Sequence, residues 1–273
     1  MVEFIPRLQQ MSMFVEACAK AQNRDRKNLF KSFLALTDDE VNTLLFNGLV
    51  SLESPLHHIF SILQQIETQR VEQFIRETLA DLKCSYASGK KLSIELYPMD
   101  ENDRFGREQL GGVSAWTSWE GDTIHFVVYP SKDTIHTLKS TVVHEYHHHY
   151  RISALNNGHS NVTLLEKIIR EGLAEHFVAE ILGTDFHGPW VGALTEEDAR
   201  MYWTTLYSKH AQAYGDKTDL FVFGGGSSGV PFWAGYSMGY YLVKWYRQLH
   251  PDASVMALTA QNSEEFIPCP SDV

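Results

Sequence analysis

The sequence predicts an α+β protein: mostly helical, with a small mixed or antiparallel sheet just before one long helix, and a helical region at the N-terminus. Three observations predict it. Apolar residues recur at helical spacing through the first third of the chain. The pattern changes at Ser88-Gly89, after which short alternating runs end in prolines, as strands do. From Asp133 the helical period returns, and Thr163 and Thr195 stand where helices begin. The expected division is a helical region over residues 1–88 and a second domain over residues 89–273.

Residues 1 to about 35 read as amphipathic helix, with Phe14, Val15, Cys18, Phe30, Phe33 and Leu34 apolar and the charged run Gln22 to Asn28 as a solvated turn. Thr37-Asp38-Asp39-Glu40 reads as a capping box opening a short helix that stops near Gly48. Ser54 as N-cap and Pro55 at the first helical position then open one long or broken helix to about residue 84, with a slip in period near Thr68. Lys91 to Tyr97 alternates, with Leu92, Ile94 and Leu96 on one side, and Pro98 ends this strand. Gly111 to Trp116 and Thr123 to Tyr129 read as two strands of a hairpin joined through Glu120-Gly121.

Asp133 to about Arg151 reads as the long helix. Asn156-Asn157-Gly158 is a turn signal. Thr163-Leu164-Leu165-Glu166 is a second capping box, and Gly183 suits a C-cap, so a helix is expected from about 164 to 182. A Pro/Gly loop at His187-Gly188-Pro189, a helix opening at Thr195, a loop from Tyr214 to Asp219, and a last helix from about Phe232 to Leu249 follow. The tail Ile267-Pro268-Cys269-Pro270 reads as extended.

The totals exclude several classes of function. The net charge of −11 argues against a nucleic-acid or anionic-membrane surface, which would cluster Lys and Arg. Three scattered cysteines, Cys18, Cys84 and Cys269, form no C-x-x-C pair, which disfavours a thiolate metal site or a disulfide framework. No apolar run is long enough for a membrane span and the N-terminus shows no signal-peptide pattern, so the expected home is the cytoplasm. Asp100-Glu101-Asn102-Asp103 starts like a calcium loop but lacks its glycine and final glutamate, and reads as an exposed acidic loop. Gly224 to Gly229 lacks the Gly-Lys-Ser/Thr ending of a phosphate loop and reads as a flexible loop or lid.

The chemistry concentrates in Val142-Val143-His144-Glu145-Tyr146-His147-His148-His149-Tyr150, which contains H-E-x-x-H. On a helix, residues four apart are rotated only about 40° from each other. His144 and His148 can therefore share one metal ion, and Glu145 can work on the metal's water. With about 100° per residue, Ile135, Val142 and Tyr146 form a core stripe, and His144 and His148 point away from it toward a cleft. His149 falls on the core side and His147 on a flank, and neither is taken as a ligand.

Two ligands leave zinc short of the three it usually takes from a catalytic site. Arg151 and Ala154 stand where a metzincin would place glycine and histidine, so that pattern is excluded. Glu171-Gly172-Leu173-Ala174-Glu175 instead puts two carboxylates on one helix face with Leu164, Ile168 and Leu182. Ionised carboxylates among apolar neighbours are costly unless paired or metal-bound. They are either ordinary salt-bridged glutamates or part of the metal site, and the upstream H-E-x-x-H favours the second.

H-E-x-x-H followed by Glu-Gly-x-Ala-Glu resembles the gluzincin metallopeptidases. Gly-Gly-Val-Ser-Ala, His-Glu-Tyr-His-His, Glu-Gly-Leu-Ala-Glu and Gly-Tyr-Ser-Met-Gly-Tyr together resemble the YjaZ-like family of predicted zinc-dependent proteases, over roughly residues 90 to 250. The resemblance implies a zincin-like fold and one zinc ion per chain, held by His144, His148 and Glu171. It implies Glu145 as general base and Glu175 as the residue that orients a ligand histidine. Zinc would acidify a water and polarise a peptide carbonyl, and Glu145 would carry the proton to the leaving amine. Tyr236 is the candidate oxyanion donor, with simple packing beside small residues as its other reading. Gly112, Val113, Ser114 and Ala115 are the candidate strand edge for an extended peptide or protein substrate. Two other functions fit the same residues: a zinc-stabilised binding module without catalysis, and a metal-assisted hydrolase of a non-peptide amide or ester.

Overall fold

The computed structural model describes residues 1–21, 25–156, 162–226 and 229–269. The expected features at 22–24, Asn157-Gly158, Ser227-Ser228 and Pro270 lie outside the described residues. The chain divides into two compact units: Met1–Ser118 with Asp122–Val142, and Trp119–Gly121 with Val143–Val273. No helix among the described residues is long and apolar enough to cross a membrane.

The first unit is built on a four-stranded mixed sheet in the order β1-β2-β4-β3, comprising β1 (Val2–Phe4), β2 (Leu92–Pro98), β3 (Val113–Thr117) and β4 (Thr123–Val128). β1 and β4 run parallel to β2, while β3 and β4 form the expected antiparallel hairpin, with Val113 opposite Val128. The N-terminal region, expected to be helical throughout, therefore opens with a strand. Three residues are too few to show a strand period, and only pairing with Leu92–Ile94 holds them extended.

The helices of its N-terminal part are α1 (Arg7–Ala21), α2 (Arg26–Leu34), α3 (Asp38–Phe46), α4 (Leu56–Thr68) and α5 (Val71–Ser85). The capping box at Thr37 forms with both reciprocal bonds to Glu40. The helix expected from 55 to 84 is broken where its period slips, at Arg70, which takes a left-handed conformation. Pro55 is itself the N-cap of α4, and its carbonyl accepts from His58 and Ile59, so the helix starts one residue later than Ser54 suggested.

The alternation in β2 does not mark an exposed face. Leu92, Ile94 and Leu96 are buried, and so are Glu95 and Tyr97 opposite them. Arg7 covers Glu95 through bonds of 2.6 and 3.0 Å, while His125 Nδ1 at 2.9 Å and the Tyr97 hydroxyl at 2.7 Å complete its shell. Burial alone would raise the Glu95 carboxyl, but the bonds and charges of His125 and Arg7 outweigh it and hold it at about 2.

The second unit is helical. The long helix α6 (Thr134–Leu155) enters it at Val143 and is followed by α7 (Leu164–Leu182). Next come α8 (Glu196–Tyr202), which runs through a wider turn into α9 (Ser208–His210), then α10 (Asp219–Phe223) and α11 (Ala234–Leu249). A short α12 (Val255–Leu258) and a 3-10 turn (Ser263–Phe266) follow what the sequence presented as the last helix, and both bury apolar residues. The Thr163 capping box is half formed. Thr163 accepts from the Glu166 amide, but the Glu166 carboxylate binds Arg151 instead, at 2.7 and 3.0 Å.

α7 and α11 cross at glycines. A methyl group on Gly239 would strike the Ile168 carbonyl, and one on Gly172 would strike the Gly239 carbonyl. Backbone meets backbone there, and no side chain can yield. An exposed helical Gly→Ala change normally stabilises by up to about 1 kcal/mol. Here the sign reverses: Gly239→Ala should cost roughly 1–3 kcal/mol, read as a fall in Tm of several degrees. An unchanged or higher Tm would show that the helices part without cost.

The Glu95 cluster sets a pH dependence. Its folded pKa lies below its ordinary 4.5, so its contribution is complete above about 4.5 and is lost as pH falls toward 2. The stability gap between wild type and Glu95→Gln should shrink by roughly 2 kcal/mol between pH 6 and pH 3, measured by urea titration. A gap independent of pH would remove the ion pairs as its cause.

Candidate metal centre

The four-residue spacing of His144 and His148 places both imidazoles on one side of α6, with ring centroids 4.6 Å apart and planes at 89°. The expected open side of this helix is less open than its period suggests, since every residue from Val142 to His149 is buried. His147 and His149 have structural partners. His147 Nε2 lies 3.1 Å from the Thr259 hydroxyl, and His149 Nδ1 bonds the Gly121 carbonyl. Burial, then the charges of His148 and Arg151, push His147 well below the ordinary imidazole range, so it stays neutral.

α7 brings its two glutamates to the same place. Glu171 Oε2 lies 3.1 Å from His144 Nε2 and 3.4 Å from His148 Nε2. Two imidazole nitrogens and one carboxylate oxygen thus face a common point, and this His2Glu donor set is one that zinc accepts in catalytic sites. Potential ligand atoms of His144, Glu145 and His148 also lie within 4.8 Å of one another. Glu145 and Glu171 are therefore both near enough to serve, and one Glu171 oxygen lies within 3.4 Å of both Nε2 atoms.

The electrostatics of the pocket suit a cation. Burial opposes charge on His144, yet the bonds and charges of Glu171 and Glu175 outweigh it and hold its pKa well above the imidazole range. Burial likewise opposes charge on Glu171, and the His148 charge with bonds from both histidines holds it far below the carboxylate range. A divalent ion between these groups would balance the same charges, which is the physical ground on which the residues fit a metal.

Glu175 lies one turn along α7 and is 1% exposed. Its Oε1 lies 2.8 Å from His144 Nδ1 and accepts from the Trp190 indole at 2.9 Å; its Oε2 accepts from the Gly188 amide at 3.0 Å. The carboxylate fixes the imidazole by its Nδ1 and leaves Nε2 directed at Glu171. Trp190 and Gly188 escaped the sequence reading. His187-Gly188-Pro189 reads as a loop in the sequence, but a donor from a loop, or from the short 3-10 turn Pro189–Ala193 that follows, carries no periodic signature.

Tyr236 comes from the first turn of α11, and the Gly172–Gly239 crossing sets how closely that helix approaches α7. Its ring lies 5.5 Å from that of Trp190. Burial, then the charges of Glu171 and Glu145, push its phenol well above the ordinary range, so it remains a proton donor. The segment Gly112 to Ala115 belongs to the first unit, whereas the metal group lies in the second. Gly112 falls in the turn before β3, with φ of +82°, so the strand starts at Val113, two residues later than the expected Gly111; β3 is an edge strand.

Comparison with known proteins agrees with this chemistry. Uncharacterized protein YjfC of Bacillus subtilis (strain 168) is 27% identical over 197 residues, covering 67% of this chain and 63% of that protein. Uncharacterized protein YjaZ of the same organism is 30% identical over 161 residues, covering 58% of this chain and 59% of that protein. The chain therefore spans about three-fifths of the length of these relatives. No solved structure matches significantly. A family model described as "Predicted Zn-dependent protease (DUF2268)" matches residues 71–268, which is most of the chain, and the protein belongs to that family.

Proposed function

We propose that this chain is a zinc-dependent peptidase of gluzincin type, with His144, His148 and Glu171 as ligands and Glu145 as general base. The observation that carries the reading is the convergence of His144 Nε2, His148 Nε2 and Glu171 Oε2, with Glu145 beside them. Zinc, when bound, supplies Lewis-acid activation of water and of the peptide carbonyl. Glu145 accepts a proton from the attacking water and delivers it to the leaving amine. A purely structural site has no need of that carboxylate. Tyr236, held protonated, donates to the oxyanion. Glu175 keeps His144 in the tautomer that presents Nε2.

The edge position of β3 supports its use, with Gly112, Val113, Ser114 and Ala115, as the place where an extended peptide adds as a strand. The family match begins at residue 71 and takes in α5 together with residues 89–268; catalysis is assigned to residues 89–273, with residues 1–88 as an accessory region.

Three variants test the assignment. Glu145→Gln should retain about one zinc ion per chain and lose hydrolysis of a mixed peptide library by at least 100-fold; a variant that still cleaves removes the proposed base. His148→Ala and Glu171→Gln should each lose zinc, and full occupancy in both would overturn the ligand set. Hydrolysis of ester or simple amide probes, with no peptide cut, would shift the reading to a different hydrolase.

Trp190→Phe keeps a ring but removes the donor to Glu175. It should weaken zinc binding about 10-fold, measured by competition with a chromophoric chelator. Unchanged affinity would show that Gly188 alone positions Glu175.

A further inference from the structure

Two rows of aromatic rings lead from the metal pocket to the surface of the second unit. Both start at Trp190, whose ring lies 5.7 Å from that of His144 and whose indole N–H is fixed on Glu175. One row passes to Trp233 at 5.8 Å and on to Phe232, a further 4.5 Å away. The other passes to Tyr236 at 5.5 Å and on to Phe223 at 5.9 Å. The outer members are open to solvent, Phe232 at 42% and Phe223 at 46% exposure.

The two ends are held side by side by backbone. Trp233 donates its amide to the Phe223 carbonyl, and Gly225 donates to the Val230 carbonyl, closing the neck of the glycine-rich loop. Gly224 has φ of +65°, and a methyl group there would strike the Pro231 carbonyl, so only glycine lets the neck close. Gly235 plays a matching part, since a methyl group there would strike Val222 on α10. Trp233 itself sits at φ of +63°, a conformation that a bulky residue takes only when its surroundings impose it. The glycine-rich loop thus serves as a clamp that presents Phe223 and Phe232.

An isolated exposed aromatic is ordinary, but a contiguous aromatic surface that begins against a metal ligand is a recognition feature. Acidic side chains are disfavoured there, because Glu145 and Glu171 already crowd the pocket and the chain carries a net charge of −11. We propose that this wall, formed by Trp190, Trp233, Tyr236, Phe223 and Phe232, receives a large apolar side chain of the peptide substrate adjacent to the scissile bond. The proposal rests on the peptidase reading and adds the class of residue at the cut.

The test uses the full zinc-loaded chain, a proteome-derived peptide library, and a pair of peptide hydroxamates that differ only in carrying Phe or Ala beside the zinc-binding group. Wild type should cut next to Phe, Leu, Met, Trp or Tyr, and should bind the Phe hydroxamate at least 10-fold more tightly than the Ala one. The double variant Phe223→Ala/Phe232→Ala should keep its zinc and lose most of both preferences. Cutting with no apolar enrichment, equal binding of the two hydroxamates, or preferences that survive in the double variant would each overturn the proposal. If wild type cuts nothing, the peptidase reading fails, and the hydroxamate pair alone still decides whether the wall selects apolar groups.

Discussion

Two carboxylates one turn apart on a buried helix must each find positive or donating partners, and the second unit is arranged around that requirement. Glu175 collects an imidazole, an indole and a backbone amide. Glu171 collects two imidazoles at 3.1 and 3.4 Å. Each partner comes from a different part of the chain, so the histidines of α6, the loop at 187–193 and α7 are mutually positioned by charge satisfaction. A carboxylate left alone in such a place would cost several kcal/mol, on the order of the whole stability of a domain.

A second buried network holds the frame on which this depends. Arg151 is fully buried, and its guanidinium spans the Glu166 carboxylate and the carbonyls of Thr259 and Gln261. It ties the end of the motif helix to the start of α7 and to the segment after α12. His147 reaches the same Thr259 through its hydroxyl. His147 and Arg151 therefore fasten the C-terminal segment against the helix that carries His144 and His148, which gives His147 a structural use of its own in the motif stretch.

Much of this was legible in the sequence, and the failures have a common cause. Local rules found α7 to the residue, the hairpin of β3 and β4, a slip near Thr68 close to the break at Arg70, and the pair of motifs whose side chains converge. What they missed depends on partners distant in the chain. β1 is extended because β2 lies beside it, Glu95 is buried because Arg7 covers it, and Glu166 gives up its cap because Arg151 claims it. Trp190 was invisible for the same reason: its indole matters only once Glu175 is within reach. Gly172 and Gly239 were visible as small residues within motifs, but the collision each avoids belongs to the other helix.

The distribution of these residues over element types carries one more step. His144, Glu145, His148, Glu171 and Glu175 all project from the interiors of α6 and α7, where helical backbone bonds on both sides hold them. Trp190, Phe223, Phe232 and Trp233 lie on a 3-10 turn, a helix end and the loop that follows it. Chemistry tolerates little displacement of a ligand or a base, whereas selection of a side chain tolerates a good deal. Loops can change without disturbing the helices that carry His144, His148 and Glu171. On the proposed peptidase reading, such a plan lets one reaction be kept while the bond selected is altered, and the glycine-clamped aromatic residues are where that alteration costs the fold least.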